Sequence, residues 1–144
     1  MRQMQIVSIA TEAELLALGA ALIPQLSAGQ TVCLTGGLGA GKTTLVRGMI
    51  QSVMGGIDVP SPTYTLVQTY DMPEFELWHC DMYRLERPED GYELGLIDAF
   101  EEAVCLIEWP DKLGGLIPED ALSIEIVFDG EGRKVMLKGF EEIR

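Results

Sequence analysis

Between Gly36 and Thr43 the chain reads GGLGAGKT, four glycines followed by a lysine and a threonine. Glycines let a backbone curl until several N–H groups face one point, which is how a loop binds an anion. A lysine beside that point adds a fixed positive charge, and a helix that starts there adds its dipole. The chemistry is capture of phosphate. Gly36, Gly41, Lys42 and Thr43 match the spacing G-x-x-x-x-G-K-[ST] of a nucleotide-binding loop. Such a match arises by chance in fewer than about one in a hundred chains of this length. In this reading Lys42 reaches the β- and γ-phosphates, Thr43 Oγ ligates Mg²⁺, and Thr44 offers its N–H to the α-phosphate.

A loop of this kind needs an acid to complete the metal site, usually at the end of a neighbouring apolar strand. Two segments offer one: VCLIE ends in Glu108 and LWHCD ends in Asp81. Glu108 is preferred for the direct metal contact. Asp81 would hold a metal-bound water or orient the attacking water. Against both stands the plainer reading of a solvated strand-end carboxylate. His79, the single histidine, lies two residues from Asp81 and points to the same side of a strand. It reads as a hydrogen-bonded structural histidine ahead of a general base. Arg47, Arg84 and Arg133 are candidates for steadying transition-state charge, each with a surface or ion-pairing role as the alternative. No Asn-Lys-x-Asp guanine signature occurs, which favours adenine.

These groups need elements to carry them. Residues 4–9 read as a short strand, and Thr11 with Glu14 forms a capping box for a helix bearing Leu15, Leu18 and Leu22. QTVCL, residues 30–34, is a buried strand feeding the loop. A helix then carries Leu45, Val46, Met49, Ile50 and Val53 on one face until Gly55. Residues 57–65 are irregular, and residues 65–70 and 75–81 flank DMPE as a hairpin. Residues 88–103 are helical in tendency but broken at Gly91 and Gly95. VCLIEW is a further buried strand, and the tail is a second hairpin around a Gly-rich turn. The pattern predicts an α/β fold, one domain over residues 1–144, with a mixed central sheet and hairpins flanked by helices.

The net charge is −13, from ten Lys+Arg against 23 Asp+Glu. A chain that grips nucleic acid alone shows a basic face, so any nucleic acid here is expected to be held by a partner. The longest apolar run, residues 15–23, is far short of the ~18 residues of a membrane span, and the first residues do not read as a secretory signal. A cytoplasmic location without membrane contact is the expectation. Cys33, Cys80 and Cys105 are far apart within apolar runs and read as reduced core residues.

GGLGAGKTTLVRG, SPTYTLVQTY, HCDMYRLE and LIEWPDK occur in that order, and together they resemble the TsaE (YjeE) family of P-loop ATPases in bacterial tRNA threonylcarbamoyladenosine synthesis. The resemblance runs from about Ile6 to the final hairpin. It implies a P-loop NTPase-like fold, ATP and Mg²⁺ as cofactors, and hydrolysis of ATP to ADP and phosphate. It assigns Gly39, Ala40, Gly41, Lys42, Thr43 and Thr44 to the phosphates and Thr43 with Glu108 to the metal. Asp81 is assigned to the ATPase step, which with Lys42 and Glu108 makes the catalytic set. Thr11 or Glu12 would border the adenine, Ser61 to Thr65 would be a switch loop, and Trp109 would lie near the nucleotide and the partner surface. One departure stands out, because Gly37 occupies a position where the family usually has an acid.

By the same resemblance the partners are TsaB and TsaD, the latter being the transferase, and tRNA is contacted mainly through them. Hydrolysis would be slow alone and stimulated by those partners. Two rivals remain: a small-molecule kinase, for which no acceptor-binding insert or lid is evident, and a binding module in which ATP only orders the SPTYT loop.

Overall fold

Thr11 shows how local chemistry starts the first helix. Its Oγ1 accepts the Glu14 N–H at 3.2 Å, and the Glu14 carboxylate accepts the Thr11 N–H at 2.9 Å. Both partners satisfy amides that the first turn would leave unpaired. The computed structural model describes residues 4–37, 39–62 and 66–143. Within it the elements run β1 (Gln5–Ile9), α1 (Glu12–Leu22), β2 (Thr31–Gly36), α2 (Lys42–Met54), β3 (Val67–Asp71), β4 (Glu76–Asp81), α3 (Asp90–Glu93), α4 (Leu96–Glu102), β5 (Val104–Glu108), β6 (Leu122–Asp129) and β7 (Gly132–Lys138). Short 3₁₀ turns occupy Ile23–Gln25 and Pro110–Leu116. The strands order as β1-β7-β6-β2-β5-β4-β3 in a mixed seven-stranded sheet, the α/β architecture that the sequence predicts.

The chain divides into two compact units. One comprises Met1–Leu26, Thr35–Pro60 and Leu122–Arg144; the other comprises Ser27–Leu34 and Ser61–Ala121. In the first, β7 pairs antiparallel with both β1 and β6. Leu15, Leu18 and Leu22 of α1 are buried as predicted, as are Leu45, Val46, Met49 and Ile50 of α2. Val53 is not; in the last turn of α2 it is 42% exposed. The two helices approach at Gly19 and Gly48. A Cβ on Gly48 would stand inside the contact radius of the Leu16 carbonyl oxygen, and one on Gly19 would do the same to the Leu45 carbonyl oxygen. Backbone cannot swing aside as a side chain can. Gly48→Ala should therefore destabilise the fold by about 3 kcal/mol, a fall in Tm of roughly 10 °C. A thermal melt unchanged by the substitution would contradict this crossing.

In the second unit β2, β5 and β4 run parallel, and β3 returns antiparallel to β4. Every residue of β5 is buried, which fits the apolar run over residues 104–107. Cys80, Cys105 and Ile107 face a cluster with Met82, Leu96, Phe100 and Leu113. Burial pushes the Cys105 thiol up to about 12 and the Cys33 thiol up to about 11, and it raises Cys80 as well. All three cysteines are free thiols, as the sequence suggests. The expected break between 88 and 103 falls at Gly95 alone, whose φ of 80° separates α3 from α4. Gly91 lies inside α3, buried against the side chains of Leu113 and Leu116. Thr63, Tyr64 and Thr65 of the expected switch loop lie outside the described residues.

Candidate functional site

The helix after the glycine loop starts differently from α1. Its N-cap is Gly41, at φ 117°, with no side-chain hydrogen bond and no acid in the first turn. Only glycine adopts that backbone without strain, and glycine brings no oxygen to cap the first-turn amides. The first-turn amides of α2 thus receive no cap from a side chain, the arrangement found where helix starts bind anions. Lys42, the first residue of α2, is 6% exposed, and its ammonium donates to the Gly36 carbonyl at 2.8 Å. That bond ties the start of the loop to its end and fixes a positive charge inside it.

Arg133 braces the loop from β7. Its Nε donates to the Ala40 carbonyl at 2.9 Å, and its Nη2 donates to the Gly39 carbonyl at 3.4 Å. The guanidinium also lies 4.3 Å from the centre of the Phe128 ring. Because a trans peptide sets its N–H opposite its carbonyl, holding the Ala40 oxygen aims the Gly41 N–H the other way. Arg133 is thus engaged with backbone rather than poised toward a reacting phosphate. Arg47 approaches Glu12 at 4.0 Å, and Arg84 is exposed.

Beside the loop is a cavity of about 190 Å³ lined by Ile9, Ala10, Thr11, Glu12, Leu15, Gly39, Ala40, Gly41, Thr44, Glu131, Gly132 and Arg133. It gathers Thr11, Glu12, Gly39, Ala40, Gly41 and Thr44 from the sequence-predicted set, but neither Lys42 nor Thr43. The apolar side of Ile9 and Leu15 and the 131–133 segment were not anticipated. The turn DGEG signals a hairpin, but nothing local says where its far strand lies.

The second unit holds the acids. The register pairs Leu34 with Glu108 and Glu108 with Asp81, so both carboxylates end adjacent parallel strands. Gly36, where the loop begins, is two residues further along β2 than Leu34. Glu108 is 4% exposed and Asp81 6%. Glu108 Oε2 lies 2.7 Å from His79 Nε2, and Asp81 Oδ1 accepts the Tyr83 N–H at 3.0 Å. The plainer reading of solvated strand-end acids does not hold, because both are buried. Trp109 follows in the left-handed region, at φ 57°, with its ring centre 4.9 Å from that of Tyr83.

No group of three or more His, Cys, Asp or Glu capable of holding a metal gathers among the described residues. The two residues the sequence nominates as metal ligands are each oxygen donors, Glu108 a buried carboxylate and Thr43 a hydroxyl in the first turn of α2. They suit Mg²⁺, a hard cation that takes few protein oxygens and fills its shell with phosphate and water. In donor chemistry each residue, taken singly, fits that ion.

A family model described as threonylcarbamoyl adenosine biosynthesis protein TsaE matches residues 9–135. This chain belongs to the TsaE family. The TsaE of Haemophilus influenzae is 43% identical over 107 residues, covering 74% of this chain and 68% of that protein. The TsaE of Rickettsia bellii is 42% identical over 96 residues, covering 66% and 67%. The crystal structure of Bacillus subtilis YdiB superposes with a TM-score of 0.80 at 26% identity, covering 96% of this chain and 86% of that one. Membership of TsaE places the chain in tRNA threonylcarbamoyladenosine biosynthesis. The P-loop NTPase-like α/β fold expected from the motifs is the fold observed. Among the described residues no helix is long and apolar enough to cross a membrane.

Proposed function

We propose that this TsaE-family chain is an ATPase that binds Mg·ATP and hydrolyses it to ADP and phosphate in support of the TsaB–TsaD pair, the transferase complex forming N6-threonylcarbamoyladenosine beside the tRNA anticodon. The observation that carries the reading is the start of α2, whose uncapped first turn and buried Lys42 ammonium form one anion cradle. The cavity beside it supplies a place for the base. Ile9 and Leu15 offer apolar surface to a ring, while Thr11 and Glu12 offer oxygens to an amine. Those acceptors favour adenine, whose exocyclic group donates, over guanine, whose O6 accepts.

In this reading Gly39 to Thr44 hold the phosphates, and Lys42 neutralises charge on the β- and γ-groups. Thr43 and Glu108 are the proposed Mg²⁺ ligands. The ion, when bound, supplies further neutralisation of the departing phosphate. Asp81 orients the attacking water and is held for that task by the Tyr83 amide. The acidic charge of −13 agrees with tRNA being held by TsaB and TsaD in the cytoplasm. Phosphate release from Mg·ATP, measured alone and with a matched TsaB–TsaD pair, tests the function. Slow release alone and strong stimulation by the pair are expected. Equal rates in both conditions, with nucleotide still bound, would sink the partner-gated reading and favour a pure switch or a kinase.

A further inference from the structure

We propose that His79 is the positioning residue for Glu108, holding the carboxylate in the orientation it presents to Mg²⁺; this rests on the nucleotide-binding reading above. β4 and β5 run parallel, with His79 opposite Leu106 and Asp81 opposite Glu108. Side chains two apart on a strand share a face, so the imidazole and the carboxylate are diagonal neighbours on one side of the sheet. Cys80 and Ile107, the residues between, face the apolar cluster on the other side. The pair closes at 2.7 Å with side chains 0% and 5% exposed.

A carboxylate that ligates a metal only accepts, so in that role His79 Nε2 is the donor of the pair. His79 Nδ1 has no partner among the described residues. On that tautomer Nδ1 presents a bare lone pair, which is less costly to bury than an unpaired N–H. Among the described residues the Glu108 bond is therefore the ring's one polar contact. A general base needs access to a reacting proton, and a fully buried ring already committed to Glu108 has none. A ring retained for packing alone needs no nitrogen aimed at a carboxylate. What the contact does is remove the torsional freedom of Glu108, as partners of metal-ligating side chains do elsewhere, where losing them typically costs 10–100-fold in metal affinity.

The full chain is tested with His79→Phe, which fills the ring's volume without a donor, and His79→Gln, which keeps an N–H. Fluorescence of N-methylanthraniloyl-ADP reads the half-saturating Mg²⁺ concentration and, in EDTA, the metal-free Kd; a thermal melt reads folding. The Phe variant should raise the half-saturating Mg²⁺ about 10- to 100-fold while the metal-free Kd stays put. The Gln variant should recover most of that loss. In a Glu108→Gln background the Phe substitution should add nothing, because the carboxylate it acts through is gone. A folded Phe variant with parental Mg²⁺ dependence overturns the proposal, and so does an additive shift in the Glu108→Gln background. Should the Phe variant not fold, the Gln variant decides: dependence near parental supports the proposal, and a shift as large as that of Glu108→Gln overturns it. A parental chain that binds no nucleotide at all would overturn the ATPase reading itself, and this proposal with it.

Discussion

Replacing Lys42 by alanine should lower ATP hydrolysis about 100- to 1,000-fold, the cost of removing one preorganised charge from a phosphoryl-transfer site. The Kd for ATP should rise at least tenfold, since a hydrogen bond to a charged group contributes about 1.5–3 kcal/mol. The expectation follows from where the ammonium sits. It is buried and tied to the Gly36 carbonyl, so its charge is held in place before any ligand arrives. Little reorganisation is then needed at the moment of reaction. Losing the Gly36 contact removes one loop tether, so a melt must show that the variant remains folded. A folded Lys42→Ala chain that retains stimulated phosphate release would remove the glycine loop from the mechanism.

Asp81→Asn should leave nucleotide and Mg²⁺ binding within about threefold of parental values and cut hydrolysis about 100- to 10,000-fold, the range for a lost proton-handling group. The substitution is chosen because the asparagine amide oxygen can still accept the Tyr83 N–H that Asp81 Oδ1 now accepts at 3.0 Å. The Tyr83 contact after β4 is thereby kept while the charge is lost. Binding assays with and without Mg²⁺, beside phosphate release, separate two cases. Loss of hydrolysis with binding kept assigns Asp81 to the water. A Mg²⁺ requirement shifted as strongly as in Glu108→Gln would instead make Asp81 a metal ligand. If the variant still supports threonylcarbamoyl transfer over many turnovers without hydrolysing ATP, the nucleotide acts as a switch rather than as fuel.

The loop, the capping box and both hairpins were legible because each is a short-range matter. Glycine at a left-handed N-cap, Thr11 three residues before Glu14, and Gly130 between two alternating strands act over a few residues. The same logic located Glu108 and Asp81 at strand ends. It failed where tertiary context overrides propensity: Gly91 is a buried residue of α3 rather than a break, and Val53 is exposed because the last turn of α2 outlasts its buried face.

By itself, then, the sequence determined where the glycine loop would run into a helix and which acids would end buried strands, because spacing along a chain sets those features through backbone geometry. Tertiary structure alone decided which distant groups finish them. Arg133 reaches Ala40 across 93 residues, and His79 meets Glu108 across 29. The far wall of the cavity comes from the last hairpin. Each of these contacts depends on strand order and register, which are settled by the burial of whole faces at once rather than by any residue's near neighbours.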